Sequence, residues 1–481
     1  MHTYEPMIKS WASLVEETGA DPVQALSKAM STTGISGGDA TPLRIEDLDS
    51  TMTSVLYKRQ EFVLYNWIRK TPAMQIDWQY NKRLSYGSTR QAPGFREGLG
   101  PSGRNSVFQR KTAVIKYMGM KGGYTLQDSR VGQAGGQVLT PEQIENEDTT
   151  IELLKSVEQW IFWGSAAIKD NSGASVNYDG IYEQVVANAP TNVIDLKGAP
   201  LTTDILELHA EKLRTEAFVT DFSEMVAFMS PHVLSSFSNT LQGSARERIT
   251  AGQGGFDGKL GHPVAGYVSN FGYIPFKDSI WLQRSNAPLT VGAGETPPGT
   301  LTSLAGVAVI ATAAGTKFTE AGDAATYYYW VAAVGDGGES VAMGATAGGL
   351  GISVAVPANG AADLTITRTA NNLVTHYTVY RSTVNDITTA REIARVPSAN
   401  GGGNATFRDL NGTRPGTGVV ALLNNNTENL VIPQLMPLMK LPQPLQLTTQ
   451  PFFLLLYHTM VVRAAERQKI FVNVGRASVS G

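Results

Sequence analysis

Residues 140–168 read TPEQIENEDTTIELLKSVEQWIFWGSAAI, a stretch whose first four residues carry the start signals of a helix. Thr140 can cap the Gln143 amide, Pro141 fits the first turn, and Gln143 can reach back as the second half of a capping box. Continued to about Ile168, the helix is a rod of roughly 40 Å at ~1.5 Å per residue. Its predicted buried stripe is Ile144, Ile151, Leu154, Val157 and Ile161. Between Glu142 and Glu158 lie six acids (142, 145, 147, 148, 152 and 158) against Lys155. They lack the alternating ligands and central glycine of a calcium loop, so a solvated or subunit-facing side is predicted.

N-terminal to this rod, Met74, Ile76, Trp78 and Tyr80 alternate as a strand, and residues 107–126 alternate as a second. Between them lies GSTRQAPGFREGLGPSGRN, read as the tip of a long projecting hairpin. From Asn81 to Lys121 the hairpin carries nine Lys or Arg against one acid, Glu97. Residues 4–30 have helix-compatible patterning, residues 31–41 are Ser/Thr/Gly-rich, and residues 44–69 read as an amphipathic helix ending near Lys70, ahead of Pro72. Together these form an extended N-terminal arm, expected to stay on the mature chain.

C-terminal to the rod, Thr203 is expected to cap a helix bearing Leu206, Ala210, Leu213 and Ala217. MVAFM (225–229) reads as a strand, and Ser230-Pro231 starts a helix that Gly243 stops. GHPVAGYVSNFGYIPFKDSIWLQ reads as two short strands turning at Phe271-Gly272. From about Ser285 to Val420 the composition shifts to Ala, Gly, Thr and Val, which predicts a separate all-β module with strands FTEAG, TYYYWVAAV, SVAMGAT, ADLTITRT, THYTVYRST, EIARV and ATFRDL. Its independence implies that it can be deleted without loss of the rest. Beyond it come a Pro-rich crossing (IPQLMPLMKLPQPLQL), then PFFLLLY as a buried strand or short helix and a terminal strand.

The chemistry that composition excludes is broad. With no cysteine, disulfides, thiolate nucleophiles and zinc ribbons are ruled out. A net charge of −3 gives no global pull toward nucleic acid. Neither a signal peptide nor a membrane span is predicted, since the apolar run at 451–457 is too short. GISGG (34–38) lacks the strand-to-helix context of a nucleophile elbow, and no phosphate-binding loop occurs. The six histidines have no metal-ligand spacing, and the sequons at Asn404, Asn411 and Asn425 read as chance. Tyr327–Trp330 could form a sugar platform, but alternate residues of one strand must fill a sandwich core, so packing is favoured. No catalytic residue, cofactor or metal is assigned.

The order of parts resembles the tailed-phage major capsid proteins of the Hong Kong 97 phage type, whose fold encapsulins share. The local carriers are Asp179-Gly180-Ile181 after the rod, MSPHVLSSFSNTL, and GHPVAGYVSNFGYIPFKDSIWL. The resemblance implies an α+β fold with an N-terminal arm (1–72), an extended loop (73–128), a peripheral domain (129–179) with spine helix 140–168, an axial domain (180–287), and a return of the chain at 423–481. Residues 288–422 are then an inserted module resembling immunoglobulin-like or fibronectin type III domains, through TYYYWVAAVGDGGES, THYTVYRST and TFRDLNGTRPG.

The function so implied is an icosahedral head shell of hexamers and pentamers, made in the bacterial cytoplasm. It would enclose double-stranded DNA without sequence-specific binding, with a portal and possible cement proteins as partners. Because the family's extended loop lies over a neighbour near its spine helix, the resemblance implies an interface joining Lys82, Arg83, Arg90, Arg96, Arg104, Arg110 and Lys111 of one chain to Glu142, Glu145, Asp148 and Glu152 of the next. A competing reading has the hairpin bind DNA phosphates. The rival functions are an encapsulin-like compartment and, from a different class, a carbohydrate-active hydrolase with a fibronectin-like module. No clustered acid pair supports the hydrolase.

Overall fold

A computed structural model of the chain describes residues 61–476, apart from 88–94, 101–102, 104, 128–139, 171–172, 251–263, 285, 295–296, 300, 302–303, 321, 368–373, 399–403 and 446. The readings of residues 4–30 and 31–41 lie outside the described residues, as does most of 44–69. Among the described residues the α-helices are α1 (Val63–Trp67), α2 (Pro141–Trp163), α3 (Ile181–Asn188), α4 (Thr203–Thr215) and α5 (Pro231–Thr250). With the sheets described below they make a mixed α+β architecture.

The centre of the fold is a six-stranded sheet in the order Val193–Asp195, Lys469–Val474, Gly418–Asn424, Met225–Met229, Gly272–Asp278, Gly266–Ser269. Its inner strands are buried on both faces. Val226, Phe228, Val419, Ala421, Leu423, Ile470 and Val472 pack with α2 and α3, while Met225, Ala227, Met229, Val420, Leu422 and Phe471 pack under α4 and the start of α5. Two-sided burial is why MVAFM and GVVALL are unbroken apolar runs. GVVALL, placed in the β module by the sequence reading, is therefore a central strand of this sheet, and the chain rejoins the body before Val419.

A second sheet runs Lys70–Pro72, Leu430–Pro442, Thr449–His458, Lys116–Thr125. The Pro-rich crossing is largely a strand of it, with register shifts at Gln434/Met436 and Met436/Met439 beside Pro433 and Pro437, which have no N–H to give a ladder. PFFLLLY is a strand. Residues 107–126 split at the buried Ile115, whose N–H donates to Ile76 O at 2.9 Å. Val107–Val114 pairs with Asp77–Ser85 as a two-stranded hairpin, whereas Lys116–Thr125 turns away into the second sheet.

α2 begins with the predicted capping box, both halves formed. It ends at Trp163 and not Ile168, because the chain returns across its C-terminus: Gly180 N donates to Gly164 O at 2.9 Å, and Ala166 N donates to Asp179 Oδ1 at 2.7 Å. A Cβ on Gly180 would lie 2.6 Å from Phe162 O and 2.7 Å from Gly164 N. Gly180→Ala is expected to cost about 2–3 kcal/mol, read from the denaturation midpoint, since backbone must move to admit one methyl. A loss under about 0.5 kcal/mol would show that the crossing is loose.

The buried side of α2 also differs from prediction. Thr149, Thr150, Leu153, Val157, Glu158, Ile161 and Phe162 are buried, and Ile144, Ile151 and Leu154 are half-buried. The helix lies over Gly122, where a Cβ would come 2.7 Å from Thr149 Oγ1, so a missing side chain opposite decides the rotation. Thr149 and Thr150 tolerate burial by donating their hydroxyls back to Glu145 O (2.7 Å) and Asn146 O (2.6 Å).

Smaller differences follow the same logic. The cap of α4 is Thr202, whose hydroxyl accepts from Ile205 N at 3.4 Å, and not Thr203. α5 runs through Gly243, and the hairpin turn is Asn270-Phe271. Within the β module, Leu304–Ile310 and Ile352–Val356 are strands that the sequence reading passed over. FTEAG instead bends where Asp323 N donates to Glu320 O, and SVAMGAT folds back on Trp330, held by single bridges of Met343 to Val331 and Ala347. The module has two sheets, Gly338–Glu339, Ala325–Gly335, Val374–Ser382, Arg391–Pro397 with Ile352–Val356 at the side, and Ala405–Asp409, Ala361–Ile366, Leu304–Ile310. Tyr327, Tyr329, Leu364 and Val379 fill the core between them, and Trp330 is buried behind it with its indole N–H on Gly349 O.

Candidate subunit interface

Alternation gives the hairpin Asp77–Ser85/Val107–Val114 two faces, and its register pairs Trp78 with Ala113, Tyr80 with Lys111, and Lys82 with Gln109 on one of them. That face is docked on its own chain. The Arg463 guanidinium sits 4.8 Å from the Trp78 ring centroid and 5.7 Å from that of Tyr80. Lys82 Nζ donates to Glu466 Oε1 at 2.9 Å, and Lys111 Nζ to Asn188 Oδ1 at 2.8 Å. The pairing with Lys82 helps hold the Glu466 carboxyl below its ordinary range against the burial that raises it. Lys82 and Lys111 are thus spent within the chain.

Past Lys82 the hairpin leaves the body. Arg83 stacks against Tyr86 and Phe108 at 5.0 and 5.3 Å, Arg110 Nε donates to Asn81 Oδ1 at 3.4 Å, and Arg96 is exposed. Arg90 and Arg104 lie outside the described residues. Interleaved with these cations are exposed apolar side chains, Leu84, Tyr86 (78%), Phe95, Leu99, Val107 and Phe108 (61%). Charge counting missed this apolar surface; its signal was aromatic and aliphatic residues in a loop otherwise read as Gly, Pro and Arg.

On α2 the acids divide. Glu142 accepts from Lys440 Nζ at 2.8 Å, a bond that lowers its pKa, and Glu152 pairs with Lys155 at 3.2 Å. Glu145 is half-buried, and Glu147 and Asp148 are exposed. Glu158 belongs to no outer face: it is fully buried, and its carboxylate accepts from Leu64 N at 2.7 Å and Tyr65 N at 2.8 Å at the start of α1. Burial pushes its pKa up to about 7 against the pull of those amides. Among the described residues, the structure of one chain brings none of the hairpin candidates onto the α2 candidates.

Among the described residues no group of His, Cys, Asp and Glu could hold a metal ion, and no helix is long and apolar enough to cross a membrane. Burial holds His209 and His458 neutral, each lowered to about 4, and His376 at about 3. His458 Nε2 bonds the Tyr178 hydroxyl at 2.9 Å inside the core.

The family described as SU10 major capsid protein matches residues 111–291. The chain is 25% identical to the major capsid protein of Staphylococcus phage K over 249 residues, 51% of this chain and 50% of that protein. It therefore spans about half the length of the staphylococcal relatives it matches. To the putative major capsid protein of Enterococcus phage phiEF24C it is 24% identical over 444 residues, 91% of this chain and 90% of the other. Among solved structures, the Gordonia phage Cozz chain aligns with a TM-score of 0.44 at 10% identity, covering 92% of this chain and 98% of its own. The matched segment runs from the second hairpin strand through α2, α3, α4 and α5, and it aligns this chain with the SU10 family of major capsid proteins.

Proposed function

We propose that this chain is the major capsid protein of a tailed phage, with a Hong Kong 97 phage-type fold and an inserted immunoglobulin-like module, and that it assembles into the icosahedral shell around double-stranded DNA. One observation carries the reading: a projecting two-stranded hairpin whose base is docked on its own chain while its outer part exposes Leu84, Tyr86 and Phe108. A two-stranded hairpin is marginal alone in water, and a contiguous apolar patch calls for a cover. A second copy is the natural cover in a shell. Arg83, Arg96 and Arg110, with Arg90 and Arg104, then supply register toward Glu145, Glu147 and Asp148 of the neighbour, while apolar burial supplies adhesion. Exposed ion pairs contribute only about 0–1 kcal/mol each, whereas burying one large side chain contributes roughly 1.5–3 kcal/mol. Portal and cement proteins are further partners of such a shell.

The triple variant Leu84→Asp, Tyr86→Asp, Phe108→Asp is expected to stay folded by circular dichroism and to form no particles. Reversing Arg83, Arg96 and Arg110 to Glu is expected to slow assembly in low salt without abolishing it, rescued in part by Glu145→Lys with Asp148→Lys. Normal particles from the apolar triple variant would sink the reading of the tip. Normal assembly of the charge variant with poor protection of DNA from nuclease would move those cations to the genome.

A further inference from the structure

The β module joins the body by two chain crossings, and each is locked by contacts that a flexible tether would not need. At the first, Arg284 is sandwiched: its guanidinium lies 4.1 Å from the Trp163 ring centroid at the end of α2, and its Nη1 donates to Ile393 O of the module at 3.0 Å. Two residues on, Asn286 Nδ2 donates to the buried Glu392 at 2.8 Å, and Glu392 also pairs with Arg395 at 2.8 Å. At the second, Asn473 of the six-stranded sheet accepts from Arg414 N at 2.8 Å and donates to Gly412 O at 3.1 Å and to Asp195 Oδ1 at 2.9 Å. Contacts from module residues far from that crossing close the seam: Lys317 Nζ meets Asp195 Oδ2 at 2.8 Å, and Lys197 Nζ meets Glu320 Oε1 at 3.0 Å. Lys197, Asn411 and Asn473 all hold left-handed backbone here, with φ of 53°, 60° and 55°. A non-glycine residue keeps that conformation where surrounding contacts over-determine it.

We infer that the module is clamped to the body at both crossings, so that it moves with the six-stranded sheet and α2 as one rigid piece and presents its outer loops in a fixed orientation. Residues of body and module already fall in one compact unit, Leu56–Gly135 with Leu139–Gly481. Individually the exposed pairs are weak; what makes the clamp is that two separate seams must open together before the module can swing. Clean deletion of residues 288–422 then removes the sheet strand at 418–422 and strips Asp195, Asn473 and Arg284 of partners, so deletion is not the neutral change that a self-contained insertion implies.

The chain has no cysteine, so two introduced thiols can be spin-labelled without background. In the full chain carrying Thr383→Cys in the module and Glu211→Cys on α4, both exposed, and diluted with unlabelled protein, pulsed electron resonance is expected to give one narrow distance distribution. Adding Arg284→Ala with Asp195→Ala is expected to at least double its width. Lys197→Ala with Lys317→Ala, which touches no buried side chain of the core, is expected to widen it to a smaller extent. A broad distribution in the otherwise unsubstituted chain overturns the clamp, and an unchanged width in both variant sets overturns these residues as its parts.

Discussion

Glu158→Gln is expected to remove a stability change of roughly 3 kcal/mol between pH 4.5 and pH 8. The sign follows from burial. Three backbone amides, of Tyr65, Leu64 and Val63, favour the carboxylate, but burial on α2 outweighs them and holds the folded-state pKa up at about 7. An unfolded chain ionises the same group near its ordinary value of about 4.3. The folded state therefore binds the proton more tightly, and the stability this contributes is full below about pH 4.5 and lost as pH rises through 7. His209, His376 and His458 act in the opposite sense: burial lowers them, so their contribution is complete above about pH 6.5 and lost toward about 4 or 3. The quantity to read is the difference between the two proteins across a pH series of urea denaturations. Glutamine keeps one acceptor oxygen for these amides and is expected to cost about 1–2 kcal/mol at pH 5. Parallel curves for the two proteins, or a gap that widens in glutamic acid's favour as pH rises, would contradict the assignment.

Arg381→Met is expected to destabilise the β module by roughly 3–5 kcal/mol, because it strands a buried carboxylate. Arg381 is 1% exposed and lies between Phe318 and Tyr327, 5.4 and 4.8 Å from their ring centroids. Its Nη1 donates to Asp409 Oδ2 at 2.6 Å and its Nη2 to Asn411 Oδ1 at 2.7 Å, while the Tyr329 hydroxyl donates to Asp409 at 2.8 Å. Arg381 and Tyr329 stand on the five-stranded sheet and Asp409 on the three-stranded one, so the cluster ties the two layers. Removing the charge at both ends, with Arg381→Met and Asp409→Asn, is expected to recover at least half of the loss in a calorimetric melt. A loss below about 1 kcal/mol for the single variant would mean that water reaches the pair.

What the sequence disclosed depended on how local the cause was. The capping box of α2, the alternation of Asp77–Ser85 and the apolar run MVAFM are written in neighbouring residues, and all three were legible. The split of residues 107–126 was not, since Ile115 carries no breaker signal and the turn is set by which sheet each half joins. GVVALL fell largely inside the bounds drawn for the adjoining module, because two-sided burial erases the alternation that would have shown its partner. The register of the buried side of α2 was set by Gly122, some thirty residues away in sequence, and no periodicity within the helix reports it. For the interface, counting charge found the basic hairpin but could not tell that Lys82 and Lys111 turn inward, or that Glu158 faces α1. The exposed apolar tip is the feature that a charge count suppresses.

We propose that this chain closes a shell by laying its hairpin tip on another copy. Electron cryomicroscopy of the purified full-length protein tests it directly. Closed icosahedral particles in which Leu84, Tyr86 and Phe108 are covered by an adjacent subunit are the expected result. Particles in which the tip stands free in solvent, or a protein that stays monomeric at high concentration, would contradict it.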